Sequence, residues 1–538
     1  MKIYSRILIP VLIAAGALIN VNLNGQYNNH SELTSKVKAM ASEYPALCSV
    51  QSLVKTAGGK DIWLISIGAG DRDARPGIAV TGGVEGNHIL GRELALGFAA
   101  SLLKDSREPE VKDLLDRVTF YVMPDVSPDA TEQFFASLKY ERTVNARPTD
   151  DDRDFRLNED PFEDLNKDGY ITLVRILDPA GSFIESNEDG RIMREADLSK
   201  GESGRWLVIS EGTDNDGDGK FNEDGEGGVN FNRNFSYNYQ EFGPNAGLHA
   251  VSEPETKAVA DFLFNRFNIY LTIAFGPQDN LGQPLKSPER PAQGRIITGI
   301  MKSDEVINKL VSDKYHEITG VKGAPPVVTS RGNFMEWAYY HYGRYSFSTP
   351  AWWYPAEKGV SSEAAFLRFA DKNKMNDVFV PWTEIIHPDF PGKKAEVGGI
   401  KPFVMINPPA DSLPALISAN YRFIKAVAAM HPELEFLDVK SESPGDGIYR
   451  ISLKVRNKGI FATCAEVGDN NIWTRIMRIT VEPSKGQTLL SGQKVQRIPR
   501  LTGDQSEEFS WLISGKGNIT IKAGAINVGT ITTAINLK

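Results

Sequence analysis

The apolar pattern of this chain changes once, near Pro432, and that change limits the fold to two unlike parts. From Asn28 to about His431, apolar runs alternate with segments of helical periodicity. The strand candidates are Ile62–Ile67, Gly77–Thr81, Val118–Met123 and Ile269–Phe275. The helix candidates include Gly91–Leu103, Ser252–Phe264, Ser303–Leu310 and Leu413–Met430. Such alternation predicts an α/β domain with helices flanking a sheet. The helix near Ser252 carries its own start signal, with Ser252 as cap, Pro254 in the first turn and Glu255 three residues on. Beyond Pro432, the runs Tyr449–Val455, Arg475–Val481 and Asn518–Ala523 alternate apolar and polar residues between Gly- and Asn-rich turns. That pattern predicts an all-β sandwich over residues 432–538, with no cluster of reactive side chains.

The N-terminus is a different kind of segment. Lys2 and Arg6 precede the apolar run from Ile7 to Ile19, and small and polar residues follow to Gly25. The run is short against the roughly 20 residues that span a bilayer. Residues 1–25 therefore read as a secretory signal peptide, and the protein as secreted, periplasmic or cell-envelope. No later stretch has the length and apolarity of a membrane span. Cys48 and Cys464 fall in the two different parts, so they are either joined in an oxidising compartment or two buried free thiols.

Hydrophobic residues are 41% and charged residues 24%, a balance that excludes long disorder and fibrous folds. The net charge of −9 gives no basic footprint for nucleic acid. The charge is concentrated: residues 150–226 hold 23 Asp and Glu against 9 Lys and Arg, a net of −14. This block contains a repeat. The run from Asp150 through Asp152 and Asp154 to Asp160 matches the run from Asp214 through Asp216 and Asp218 to Asp224, with oxygen side chains at positions 1, 3, 5, 9, 10 and 11. A third run, Asp164, Asn166 and Asp168 followed by Gly169, has the same 1-3-5 oxygens. Alternate residues of a tight loop can aim hard oxygens at one centre, the chemistry of calcium. Neither repeat has the position-12 Glu of an EF-hand. The expectation is short Asp-loop calcium sites that pin a long insertion.

Four segments, in order, carry a resemblance. They are GGVEGNHILGREL (82–94), VSPDA (126–130), GGVNFNRNFSYNY (227–239) and NFMEWAYYHYGRYSFSTPAWW (333–353). Together they resemble the zinc carboxypeptidase family of the carboxypeptidase A/B fold, over roughly residues 30–430. The resemblance implies a carboxypeptidase-like mixed sheet flanked by helices, with a domain spanning 26–431. It implies Glu85 and His88 as zinc ligands, in exchanged order relative to the family's His-x-x-Glu. It implies Asn232 and Arg233 as the pair that holds a substrate's terminal carboxylate, and Tyr339 as the residue that caps the substrate. The resemblance further implies an Arg that polarises the scissile carbonyl, with Arg142 and Arg147 as the two candidates. The family's catalytic Glu falls at Pro350, which has no proton to give or take. Its third zinc ligand falls at Phe275; His249 is the alternative weighed for that role.

Three functions follow from this set. The first is a secreted, calcium-stabilised protein that recognises peptide or peptide-like C-termini with lost or altered hydrolysis. The second is a working zinc carboxypeptidase with a rearranged metal site. The third is a structural surface-assembly protein whose β module provides the function. The sequence leaves the oligomeric state open.

Overall fold

The computed structural model describes residues 26–150, 155–222, 225–288, 297–469 and 471–538. The signal-peptide expectation, and Asp152 and Asp154, lie outside the described residues.

All four strand candidates form and share one six-stranded mixed sheet. Its order is Cys48–Lys55, Asp61–Ile67, Thr119–Met123, Gly77–Thr81, Ile269–Phe275 and Tyr345–Thr349. The last four are mutually parallel, and the first two join antiparallel. Side chains alternate across the sheet, so Ile78 and Val80 enter one core while Ala79 enters the other. Burial on both faces is why these strands read as continuous apolar runs. The helix Ile89–Lys104 packs on one face with Leu413–Ala428, where Gly97 lets Ile417 approach its backbone. The helix Pro254–Asn265 covers the other face. Its N-cap is Glu253 rather than Ser252, whose Oγ instead donates to Glu253 Oε1 at 2.7 Å.

The acidic insertion carries a structure that its charge hides. Strands Leu173–Leu177, Phe183–Glu185, Met193–Glu195 and Trp206–Ser210 join Phe379–Ile385 and Ala395–Ile400 in a second six-stranded, antiparallel sheet. Arg175 lies between the rings of Trp206 and Trp382, at 4.7 and 4.4 Å, and pairs with Glu396.

Residues beyond Pro432 form two four-stranded antiparallel sheets packed over one apolar core that includes Ile451, Val455, Ile479, Trp511 and Ile521. This β-sandwich is tied to the first domain by buried polar groups. Asp304 accepts from the backbone N–H of Glu466 (2.8 Å) and Val467 (3.2 Å). Arg344 donates to the Trp473 carbonyl at 2.8 Å and to Thr474 at 3.0 Å. Cys48 and Cys464 are free thiols, and burial pushes them up to about 11 and about 12. Among the described residues, no helix is long and apolar enough to cross a membrane.

Candidate functional site

The parallel strands end at one edge, and the loops that leave that edge surround a cavity of about 590 Å³. Ligand sites in open α/β sheets gather at such strand ends. Glu85, His88 and Arg233 all line it, so the structure brings together three residues spread over 149 positions of sequence. Trp352, Trp353 and Tyr354 form an aromatic wall. They are turned out of the strand by Ala351, buried at a left-handed φ of 62°. A non-glycine residue held there stores backbone strain of the kind found at sites.

His88 sits at the N-cap of the helix Ile89–Lys104 and is buried. Its Nε2 lies 3.1 Å from the Pro350 carbonyl, which only accepts, so that nitrogen carries the proton. The other nitrogen, Nδ1, is buried against Gly91 and the Phe275 carbonyl without a partner of hydrogen-bond geometry. A Cβ on Gly91 would come within 2.9 Å of it and 2.7 Å of the Phe275 oxygen. Burial pushes the imidazole down to about 4, against the smaller opposing effect of the backbone carbonyls. His88 is therefore a neutral strut between the helix N-terminus and the Pro350 carbonyl.

Glu85 is held from behind. Asn230 Nδ2 donates to Oε1 at 2.5 Å and Asn232 Nδ2 to Oε2 at 3.1 Å. Burial raises its pKa, opposed by these two amides and by Arg233. Asn232 is itself buried. Its Nδ2 also reaches Gln278 at 2.7 Å, and its Oδ1 accepts from the Phe334 N–H at 3.0 Å. Asn232 thus positions Glu85 instead of facing a ligand. Arg233 is exposed between the cavity and an adjoining groove, with Nη1 donating to the Pro244 carbonyl at 3.3 Å. Its planar fork is suited to a carboxylate.

Tyr339 is placed elsewhere. Its hydroxyl donates to Asp304 Oδ2 at 2.8 Å and accepts from the Met301 N–H at 2.9 Å. It does not line the cavity, because the buried Asp304 that anchors the β-sandwich also fixes this ring. Arg142 donates to the Val144 and Asn145 carbonyls, and Arg147 to Glu253, so neither faces the cavity. His249 is exposed and bonds the Ala250 carbonyl.

The family's zinc is tested by these donors. A catalytic zinc takes three protein ligands and a water. Here His88 Nε2 is spent on a carbonyl, which leaves Glu85, with acceptor positions open beyond its two amides, as the single ligand facing the cavity. The third position is the Phe275 ring, buried beside its strand partner Thr349. Among the described residues, the one group of three His, Cys, Asp or Glu that could share an ion is Asp214, Asp216 and Asp218. The cavity residues do not fit a catalytic zinc.

The acidic loops repeat one backbone turn. In each, the position-1 carboxylate accepts the N–H of position 6: Phe155 to Asp150 (3.0 Å), Gly169 to Asp164 (2.8 Å) and Gly219 to Asp214 (3.1 Å). Position 6 has positive φ in all three, including Phe155 at 77°. Asn166 and Asp168 turn inward on their own loop, accepting from the N–H groups of Asp168 and Tyr170. Asp160 of the first repeat is buried and accepts from the N–H groups of Asn215 and Asn222 in the second. The carboxylate oxygens of Asp214, Asp216 and Asp218 lie within 4.8 Å of one another.

The chain belongs to the zinc carboxypeptidase family, whose sequence profile matches residues 33–352. A second profile, a domain of unknown function, matches residues 433–536. Mouse carboxypeptidase M is 25% identical over 135 residues, 24% of this chain and 29% of that protein. Carboxypeptidase E of Caenorhabditis elegans is 24% identical over 175 residues, 31% of this chain and 36% of that protein. The chain thus spans about a third of the length of these relatives. Among solved structures, carboxypeptidase A from Helicoverpa armigera is 12% identical with a TM-score of 0.43, over 75% of this chain and 74% of that one.

Proposed function

We propose that the cavity binds the carboxylate end of a peptide or peptide-like ligand through Arg233, and that the ligand is held and not cut by zinc chemistry. The observation that carries this reading is the contact between His88 and Pro350. It joins a strut histidine to the residue that stands where the resemblance places the catalytic Glu. The retained Arg233 and the aromatic wall support binding; the missing third ligand and missing general base argue against hydrolysis. Calcium in the acidic loops serves as a structural pin in this reading, favoured by the convergence of Asp214, Asp216 and Asp218. The charged and apolar pattern of residues 1–25 favours export.

The test is a titration of a short apolar peptide with a free C-terminus, and of its C-terminal amide, against the protein and Arg233→Ala. The free acid binds the wild type, and amidation or the substitution weakens it at least about tenfold, the scale of a charge-assisted pair. Equal binding of acid and amide would overturn the reading.

A further inference from the structure

We infer that the ligand of this cavity is a small zwitterion, an apolar amino acid or short peptide whose carboxylate meets Arg233 and whose free ammonium group meets Glu85. This rests on the reading of Arg233 as the carboxylate contact and names what the opposite end of the ligand must be.

The argument starts from how the three acids of the cavity are spent. Glu357 pairs with Arg368 at 2.6 Å. Asp279 accepts the N–H groups of Leu281 and Gly282 on Oδ1 inside its own turn, and its Oδ2 is buried without a partner. Glu85 differs, because its hydrogen-bond donors are two neutral side-chain amides. An ionised carboxylate offers about four acceptor positions, and these amides occupy two. They approach from the protein side and fix the group at the cavity wall. The wall therefore presents a preorganised carboxyl group, whose ionised form burial disfavours until a cation pairs it, where the family would present a dication.

A zinc ion cannot use that carboxylate without two further ligands in fixed geometry. An ammonium group can. It brings three donors of its own and needs acceptors, not a coordination set. Trp352 and Trp353 in the lining add aromatic surface suited to a cation or an apolar side chain. Arg233 supplies the opposite charge for the carboxylate. The volume of about 590 Å³ accommodates a small ligand. The tail of a long polypeptide matches less well. Its nitrogen is acylated and uncharged, so it would cover Glu85 without pairing it, and an uncompensated charge shielded from water is costly.

Calorimetry on the full chain at neutral pH tests this with glycyl-L-phenylalanine, N-acetyl-glycyl-L-phenylalanine, glycyl-L-phenylalaninamide and L-phenylalanine. Acetylation is expected to weaken binding at least about tenfold, the loss of a charge-assisted contact. In Glu85→Gln, the free and acetylated dipeptides are expected to bind within about twofold of each other. The ratio of dipeptide to free amino acid then identifies which of the two zwitterions the cavity takes. Equal affinity of the acetylated and free dipeptides in the wild type overturns the zwitterion and leaves the carboxylate reading standing. Equal affinity of the amide and the acid, or binding by none of the four, overturns both. The wild-type acetylation comparison decides the matter without the variant, should Glu85→Gln fail to fold.

Discussion

The His88 imidazole donates from Nε2 to the Pro350 carbonyl across 3.1 Å, closing the helix N-terminus onto the end of the last parallel strand. The folded protein holds this ring neutral, with its pKa pushed from 6.5 to about 4 by burial. The unfolded chain binds a proton that the folded chain refuses. The stability this provides is complete above pH 6.5, is lost as pH falls toward 4, and changes no further below that. The full loss is about 3 kcal/mol. Denaturant unfolding of wild type and His88→Phe across this window is expected to show the wild type losing that much more. A constant difference between the two would contradict the assignment.

Glu255 works in the opposite sense over an overlapping range. Its carboxyl is buried and pushed up to about 7, chiefly by desolvation and also by Glu253 and Asp129, while Asn145 opposes the rise. Oε1 accepts from Asn145 at 2.6 Å, and Oε2 is buried without a partner. A raised folded pKa stabilises below the unfolded value of 4.5 and loses that effect as pH climbs through 7. Glu255→Gln is therefore expected to remove a decline of about 3 kcal/mol between pH 4.5 and 7. An unchanged profile would show that the carboxyl ionises normally.

Asp304 serves both domains, binding Tyr339 on one side and the 466–467 backbone and Arg500 on the other. Asp304→Ala leaves the N–H groups of Glu466 and Val467 without their acceptor and the Tyr339 hydroxyl, still accepting from Met301, with nothing to donate to. The expected cost is about 3 kcal/mol in unfolding free energy, with earlier proteolysis near residue 466. A variant as stable as wild type would mean the β-sandwich is held by apolar contact alone.

Calcium is expected to raise the melting temperature in a saturable way that magnesium does not reproduce, because Ca²⁺ accepts flexible oxygen sets. Combined Asp214→Ala and Asp216→Ala substitution is expected to abolish the rise. A melting temperature indifferent to calcium and to chelator would leave these loops as turns only.

Much of the frame was legible in the sequence because burial on two faces leaves continuous apolar strands, as at Ile269–Phe275. Glu85, His88 and Arg233 were singled out through the resemblance of their segments to the zinc carboxypeptidase family, and the structure gathers them at one cavity. The second sheet was not. It pairs Val174 with Val397 across more than two hundred residues, and its strands are short and interrupted by charge. Tyr339 misled because a motif gives the place on a helix, not what waits across from it; the partner, Asp304, belongs to another helix. Asn230 was missed as the second amide on Glu85. Its signal was the Asn-rich run itself, in which Asn230 and Asn232 are two apart across the short helical turn Phe231–Arg233. The Ser252 cap failed because the Glu253 backbone starts the helix and Ser252 satisfies the carboxylate instead.

The most direct measurement is the zinc content of the purified protein after dialysis against zinc, read together with release of a C-terminal residue from a peptide. The account predicts well under one zinc per chain and no release. One tightly held zinc per chain, with release abolished by His88→Ala, would contradict it and establish a working carboxypeptidase built on a rearranged site.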